Sequence, residues 1–295
     1  MGKVKIQYRP FPYCPLKTSR SVKIGDNWDH ISPAHFTLIA EQIIKGKVAH
    51  PNRALANIFH VPEKIIYLLH PFQQYTLMDE LSKPLQGEPT PRNYLPVIPV
   101  SEKGRSPHNR IPIQLVGPSD RLSNISFGQF IYADSYFMSY GTTGNKTLFD
   151  KHMASLFHPI PVVERSRNHS PASADLQSAL IFEPQKISTI QSLISLLPEE
   201  TKIAWQYNYI LLRHNFESRY TFVFPKVEEE LEKDPNTDRN KSDQTPNVFQ
   251  NWMSVYDQFV GNDIINSERY FNKNASEVLN YLNNKIRDSY KANAH

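Results

Sequence analysis

The run Gly141-Thr-Thr-Gly144-Asn-Lys146-Thr147 assembles the residue types of a phosphate-binding loop: two glycines, a lysine and hydroxyls. In a working loop of that kind a glycine directly precedes the lysine, so that backbone N–H groups can wrap the phosphates. Asn145 takes that place, and the segment before it has helical rather than strand character. The run therefore reads as a turn between two helices. His152 and His158, six positions apart, fall on different faces of a helix, and no carboxylate completes a metal site with them. His50, His60 and His70 sit on separate elements and, like the other histidines, read as surface or capping residues. Asp79-Glu80 and Glu199-Glu200 are adjacent pairs whose side chains diverge on a helix, which leaves them solvated. A Ser–His–Asp triad can assemble from distant positions, but the chain has no Gly-x-Ser-x-Gly elbow. Its single cysteine, Cys14, excludes an intrachain disulfide and a thiolate metal site. The expectation is a protein that is not an enzyme and needs neither metal nor cofactor.

Binding chemistry is richer at the N-terminus. Tyr8, Arg9, Phe11, Tyr13, Lys17 and Arg20 interleave rings with cations. That pattern suits an arm packed on a protein partner, with Tyr and Arg as anchors. It also suits phosphate contact with base stacking, or an ordinary strand laid over the core. Residues 1–25 carry six cations and no acid, whereas 226–243 carry seven acids against four cations. The net charge of +4 is too small to require a nucleic-acid partner. Tyr8, Arg9, Phe11, Tyr13 and Trp252, the last on a C-terminal helix, are the expected protein-binding residues. No apolar run reaches the ~18–20 residues that span a bilayer, and the charged N-terminus lacks the apolar stretch of a secretory signal. A cytoplasmic protein with no membrane contact is expected.

The elements that must carry these residues are mostly helices. The chain has 295 residues, 39% hydrophobic and 21% charged, with 23 prolines and only 10 glycines. Proline-punctuated elements joined by stiff loops follow. Pro10, Pro12 and Pro15 make residues 1–25 an extended arm, with a short strand possible at Val22–Ile24. Ser32-Pro33 is an N-cap followed by proline at the first helical position. Phe36, Ile39, Ala40, Ile43 and Ile44 then give one apolar face. Shorter helices follow up to residue 93, broken or kinked at Pro71. Leu95–Val100 and Ile111–Val116 read as a small β-hairpin with edge prolines, within 94–117. A central helical block spans 118–225. It opens on Ser126, whose side chain and that of Gln129 form a capping box, and runs through Phe130, Ile131, Ala133, Tyr136, Phe137 and Tyr140. Residues 158–173 read as a loop. Helices are expected at 188–197 and again after Pro198, with Ile203, Ala204, Tyr207, Ile210 and Leu211 inward. Residues 226–247 form a charged linker, and 248–295 a C-terminal helical pair. The fold class is mainly α: two helical blocks with a small inserted β-hairpin and a C-terminal helical pair.

Three stretches resemble a group of tail-associated proteins of phages and prophages of Bacteroidetes-type bacteria. Trp28-Asp-His-Ile-Ser-Pro-Ala-His-Phe36 looks like their "W-x-x-[LI]-[ST]-P-x-[QH]-F" opening. Ile125-Ser-Phe-Gly-Gln-Phe-Ile-Tyr-Ala-Asp134 and Tyr207-Asn-Tyr-Ile-Leu-Leu-Arg213 are similar to later segments, as are Trp252 and Val278–Leu282 near the end. The resemblance runs in order over most of residues 26–290 and rests on packing motifs, so no catalytic residue comes with it. It implies a non-enzymatic, chaperone-like tail-assembly or virion-associated structural protein that contacts a tail-tube or tape-measure component. The resemblance implies a protein that works in the host cytoplasm, with the virion as the alternative place. The alternative is a nucleic-acid-binding accessory protein that uses the basic aromatic arm.

Overall fold

The computed structural model describes residues 2–8, 18–24, 27–82, 85, 87–100, 113–161, 182–224, 248–261 and 263–293. The expected linker and the tip of the inserted hairpin lie almost wholly outside the described residues, as do Arg9, Phe11, Tyr13 and Cys14. The protein is mainly α, with eleven helices among the described residues and two small antiparallel sheets. It divides into two compact units. One comprises residues 1–95 with 197–213, the other 96–196 with 214–295.

The first unit opens with a hairpin of β1 (Gly2–Tyr8) and β2 (Thr18–Ile24), in a register that pairs Ile6 with Arg20 and Tyr8 with Thr18. The expected arm is thus a two-stranded sheet in its described part. A short 3-10 turn at Trp28–His30 leads into α1 (Pro33–Lys45), α2 (Pro51–Phe59), α3 (Glu63–Tyr67) and α4 (Pro71–Ser82). The Ser32 hydroxyl accepts from the His35 N–H at 3.3 Å, and Gly46 closes α1 in the left-handed conformation at φ 69°. Phe36, Leu38, Ile39, Leu55, Ile58, Phe59 and Ile66 make the core. The α1 stripe ends earlier than its periodicity predicts: Ile43 is 50% and Ile44 36% exposed.

Residues 197–213 belong to this unit rather than to the central block. They form most of α8 (Glu199–Arg219). Fully buried Asn208 is the reason: its Oδ1 accepts from the Tyr94 N–H at 2.9 Å, and its Nδ2–H donates to the Arg92 carbonyl at 2.8 Å. Tyr94 stacks on Phe36 at 4.2 Å, and Tyr207 lies on the same ring at 5.8 Å. The inward line of α8 also differs from expectation. Ile203 and Ala204 are buried, but Ile210 is 39% exposed, and the buried line runs on through Trp205, Asn208, Tyr209 and Leu212.

The second unit holds a three-stranded sheet in the order β3 (Val97–Val100), β4 (Ile113–Val116), β5 (His158–Pro161). The inserted hairpin therefore has a third strand, where a loop was expected. Its prolines sit on the two edge strands, Pro99 on β3 and Pro159 and Pro161 on β5, where a missing N–H is tolerated. The capping box at Ser126 and Gln129 starts α5 (Phe127–Thr143). α6 (Lys146–Leu156), α7 (Ile187–Ile194), α9 (Val248–Val260), α10 (Ser267–Phe271) and α11 (Ala275–Asn293) complete the unit. Phe130, Ile131 and Ala133 are buried, while Tyr136, Phe137 and Tyr140 are only half-buried.

The starts of α5 and α11 are tied by a short β-bridge: the Phe127 N–H donates to the Lys273 carbonyl at 2.7 Å, and the Ala275 N–H to the Ile125 carbonyl at 3.0 Å. The two C-terminal helices pack against α5 with α10 between them in sequence, so they form part of this unit's core. Gly128 is required there, because a Cβ on it would lie 2.0 Å from the Phe271 ring.

Candidate protein interface

The histidines and the glycine–lysine turn resolve first into packing. Gly144 ends α5 at φ 67°, and the Asn145 side chain caps α6 by accepting from the Thr147 N–H at 3.0 Å. His152 is a core residue rather than a surface one. It is fully buried, and its Nδ1–H donates to the Ala133 carbonyl at 2.9 Å. Burial pushes its pKa down to about 3, against a weaker opposing pull from that hydrogen bond. His35 is likewise buried, with its Nε2–H donating to the Leu81 carbonyl at 2.8 Å, and desolvation holds its pKa below the usual imidazole value. His158 is lowered by burial and by the nearby Lys186 charge, and its Nε2 meets the Gln129 side-chain amide at 3.1 Å. These imidazoles are neutral structural groups tied to backbone or side-chain amides. The surface or capping expectation holds for His30, His50, His60, His70 and His214, all of which are exposed. His60 closes α2 at φ 52°, and the His70 Nδ1 accepts from the Phe72 N–H at 3.2 Å.

Of the expected protein-binding residues, Tyr8 sits half-buried at the end of β1. Trp252 is not at the surface. It is 7% exposed, packs edge-on against Phe130 at 5.0 Å, and its Nε1–H donates to the Asp134 carboxylate at 3.0 Å. A ring enclosed on the apolar side and hydrogen-bonded at its only polar atom is a core anchor.

The exposed apolar surface lies instead on the first unit. Between positions 67 and 75, Tyr67, Leu68, Phe72 and Tyr75 are 63%, 59%, 71% and 71% exposed. Local sequence explains why they point outward. Pro71 stands at the first position of α4, where its missing N–H costs nothing, so α3 and α4 are separate helices with Leu69 turned into the core. The Gln74 amide donates to the Ile66 and Leu69 carbonyls at 2.9 and 3.0 Å and fastens the turn. On α4, Leu81 is buried and Gln74, Leu77 and Met78 are half-buried, so one side of the helix is covered while Phe72 and Tyr75, one turn apart, face solvent together. Beside them a groove of about 220 Å³ runs between β1 and α4, lined by Lys5, Ile6, Gln7, Leu69, Phe72, Gln73, Thr76 and Leu77. Covering a side chain of this size is worth roughly 1.5–3 kcal/mol, and clustered exposed aromatics of this kind mark contact sites.

A second, polar cleft of about 130 Å³ in the same unit is bordered by Glu41, His50, Arg53, Asn57 and Glu200. Its charges are paired internally: Arg53 reaches Glu200 at 3.4 Å and Glu63 at 4.0 Å, and Glu41 meets Lys45 at 3.8 Å. Among the described residues no group of three or more His, Cys, Asp or Glu is placed to hold a metal ion, and no helix is long and apolar enough to cross a membrane. No family model, curated protein or solved structure matches this chain.

Proposed function

We propose that the protein acts through protein–protein contacts, without catalysis, and that the α3–α4 face is its docking surface. The observation that carries this reading is the cluster Tyr67, Leu68, Phe72 and Tyr75, each more than half exposed within one short stretch. Aromatic side chains of this kind supply most of the binding energy at interfaces. The resemblance of the Trp28–Phe36, Ile125–Asp134 and Tyr207–Arg213 stretches supplies the setting. In it the protein is a phage tail-assembly or virion-associated factor that works in the host cytoplasm on a tail or tape-measure component.

The test is a tagged capture from producing cells, with and without nuclease, using the wild type and the double variant F72S/Y75S. Both positions are exposed, so the variant keeps its unfolding midpoint. A nuclease-resistant protein partner that the variant loses supports the docking surface, and a tail or tape-measure component as that partner supports the setting. Equal capture by both forms overturns the surface. A second reading is favoured by Lys5 and Arg20, both exposed on the N-terminal hairpin. In that reading the protein binds nucleic acid, recovery disappears on nuclease treatment, and affinity falls steeply with salt.

A further inference from the structure

We propose that the groove between β1 and α4 takes an extended acidic peptide, which adds as a strand to the free edge of β1. This rests on the reading of the α3–α4 face as a docking surface and names the partner's chemistry. Among the described residues β1 pairs with β2 alone. In an antiparallel pair, alternate residues of an outer strand turn their N–H and C=O groups away from the partner strand, a ready template for another strand.

The groove has the two walls that such an addition needs. One is three consecutive residues of β1, Lys5, Ile6 and Gln7. The other is one face of α4, formed by Phe72, Gln73, Thr76 and Leu77 at helical spacing. A strand edge facing an apolar helix surface is the geometry in which peptides bind by β-augmentation. A helical guest would leave the β1 edge unpaired.

Charge selects the peptide. Lys5 is the one ionisable residue among those lining the groove. Ser21, across the hairpin from Lys5 on the same face, is uncharged, and residues 1–25 carry no acid. Successive residues of a strand alternate faces. A guest strand therefore places acids on the Lys5 side and apolar side chains on the Ile6 side, toward Leu69, Phe72 and Leu77.

The probe is a labelled synthetic peptide of the length of β1 that alternates glutamate and valine, titrated into the full chain by fluorescence anisotropy. Lysine-for-glutamate and proline-substituted versions are the comparisons. The expected result is binding of the glutamate peptide, with the lysine and proline versions about tenfold weaker or worse, because one loses the cross-strand charge pairing and the other the backbone donors. Lys5→Glu reverses the preference. Thr76→Trp fills the groove from an exposed position and weakens binding by a similar factor. No binding, equal binding of the two charged peptides, or indifference to both variants overturns the proposal. The partner captured by the wild type separates this failure from failure of the docking surface. If F72S/Y75S loses the partner while K5E and T76W keep it, the surface stands and strand addition falls. If all three variants keep it, both fall.

Discussion

Replacing Asn208 with alanine should destabilise the first unit by about 3 kcal/mol. The side chain is fully buried in α8 and makes two bonds to the backbone of the segment before the second unit: it accepts from the Tyr94 N–H at 2.9 Å and donates to the Arg92 carbonyl at 2.8 Å. Each bond is worth about 1 kcal/mol net, and leaving a buried donor without a partner costs about 1–3 kcal/mol. Tyr94 is 3% exposed, so water does not readily replace the amide at its N–H. Native-state hydrogen exchange of the Tyr94 amide isolates the effect, because opening of this segment sets its protection. The alanine variant should exchange at least tenfold faster there and show a lower urea midpoint. Asn208→Asp sharpens the test. The carboxylate keeps an acceptor for Tyr94 but turns the second contact into acceptor facing acceptor, and it buries a charge. Desolvation then raises that carboxyl's folded pKa, so this variant should regain part of its stability as pH falls toward 4, where the protonated acid restores a donor. If N208A leaves Tyr94 protection and the midpoint unchanged, the claim that Asn208 holds residues 92–94 to α8 is wrong.

The remaining predictions concern the second unit. The folded pKa of His152 lies near 3, below its unfolded value, so neutral His152 favours the fold. Its contribution is complete above about pH 6.5 and is lost as pH falls toward 3, with a slope of up to about 1.4 kcal/mol per pH unit. Denaturant titrations from pH 7 to 4 should show that slope flattened in His152→Gln, and an unchanged slope would contradict a buried neutral imidazole. Trp252→Phe keeps the ring packing but removes the indole N–H that donates to the Asp134 carboxylate. It should cost about 1.5–3 kcal/mol without altering partner capture. A binding defect at unchanged stability would instead return Trp252 to the interface.

Local chemistry was legible where a few neighbouring residues decide the outcome. Ser32-Pro33 and the Ser126–Gln129 box were readable as helix starts because a cap needs only a side-chain oxygen within three residues of an orphan N–H. Gly144-Asn145 was readable as a turn for the same reason. The α1 stripe was overextended because periodicity says which residues share a face but not how far the neighbouring element reaches, and Ile43 and Ile44 lie exposed in the last turns. On α8 a polar residue was not expected to face inward. Asn208 does so because the partners that satisfy its amide lie more than a hundred positions away in sequence.

The candidate surface shows the same division. Tyr67, Leu68, Phe72 and Tyr75 are apolar side chains in a short helical region, and no pattern of residue types separates them from Leu55, Ile58 and Phe59, which are buried. The sequence by itself determined the mainly helical class, the caps and the main helices, but not the strands Gly2–Tyr8 and His158–Pro161, since propensity, capping and proline punctuation act within a turn or two. Only the tertiary structure decided which apolar faces found a partner. It enclosed Trp252 and His152, joined residues 197–213 to the first unit, and left the α3–α4 face open. Burial is set by what packs from elsewhere in the chain, and that information is not carried by any local stretch.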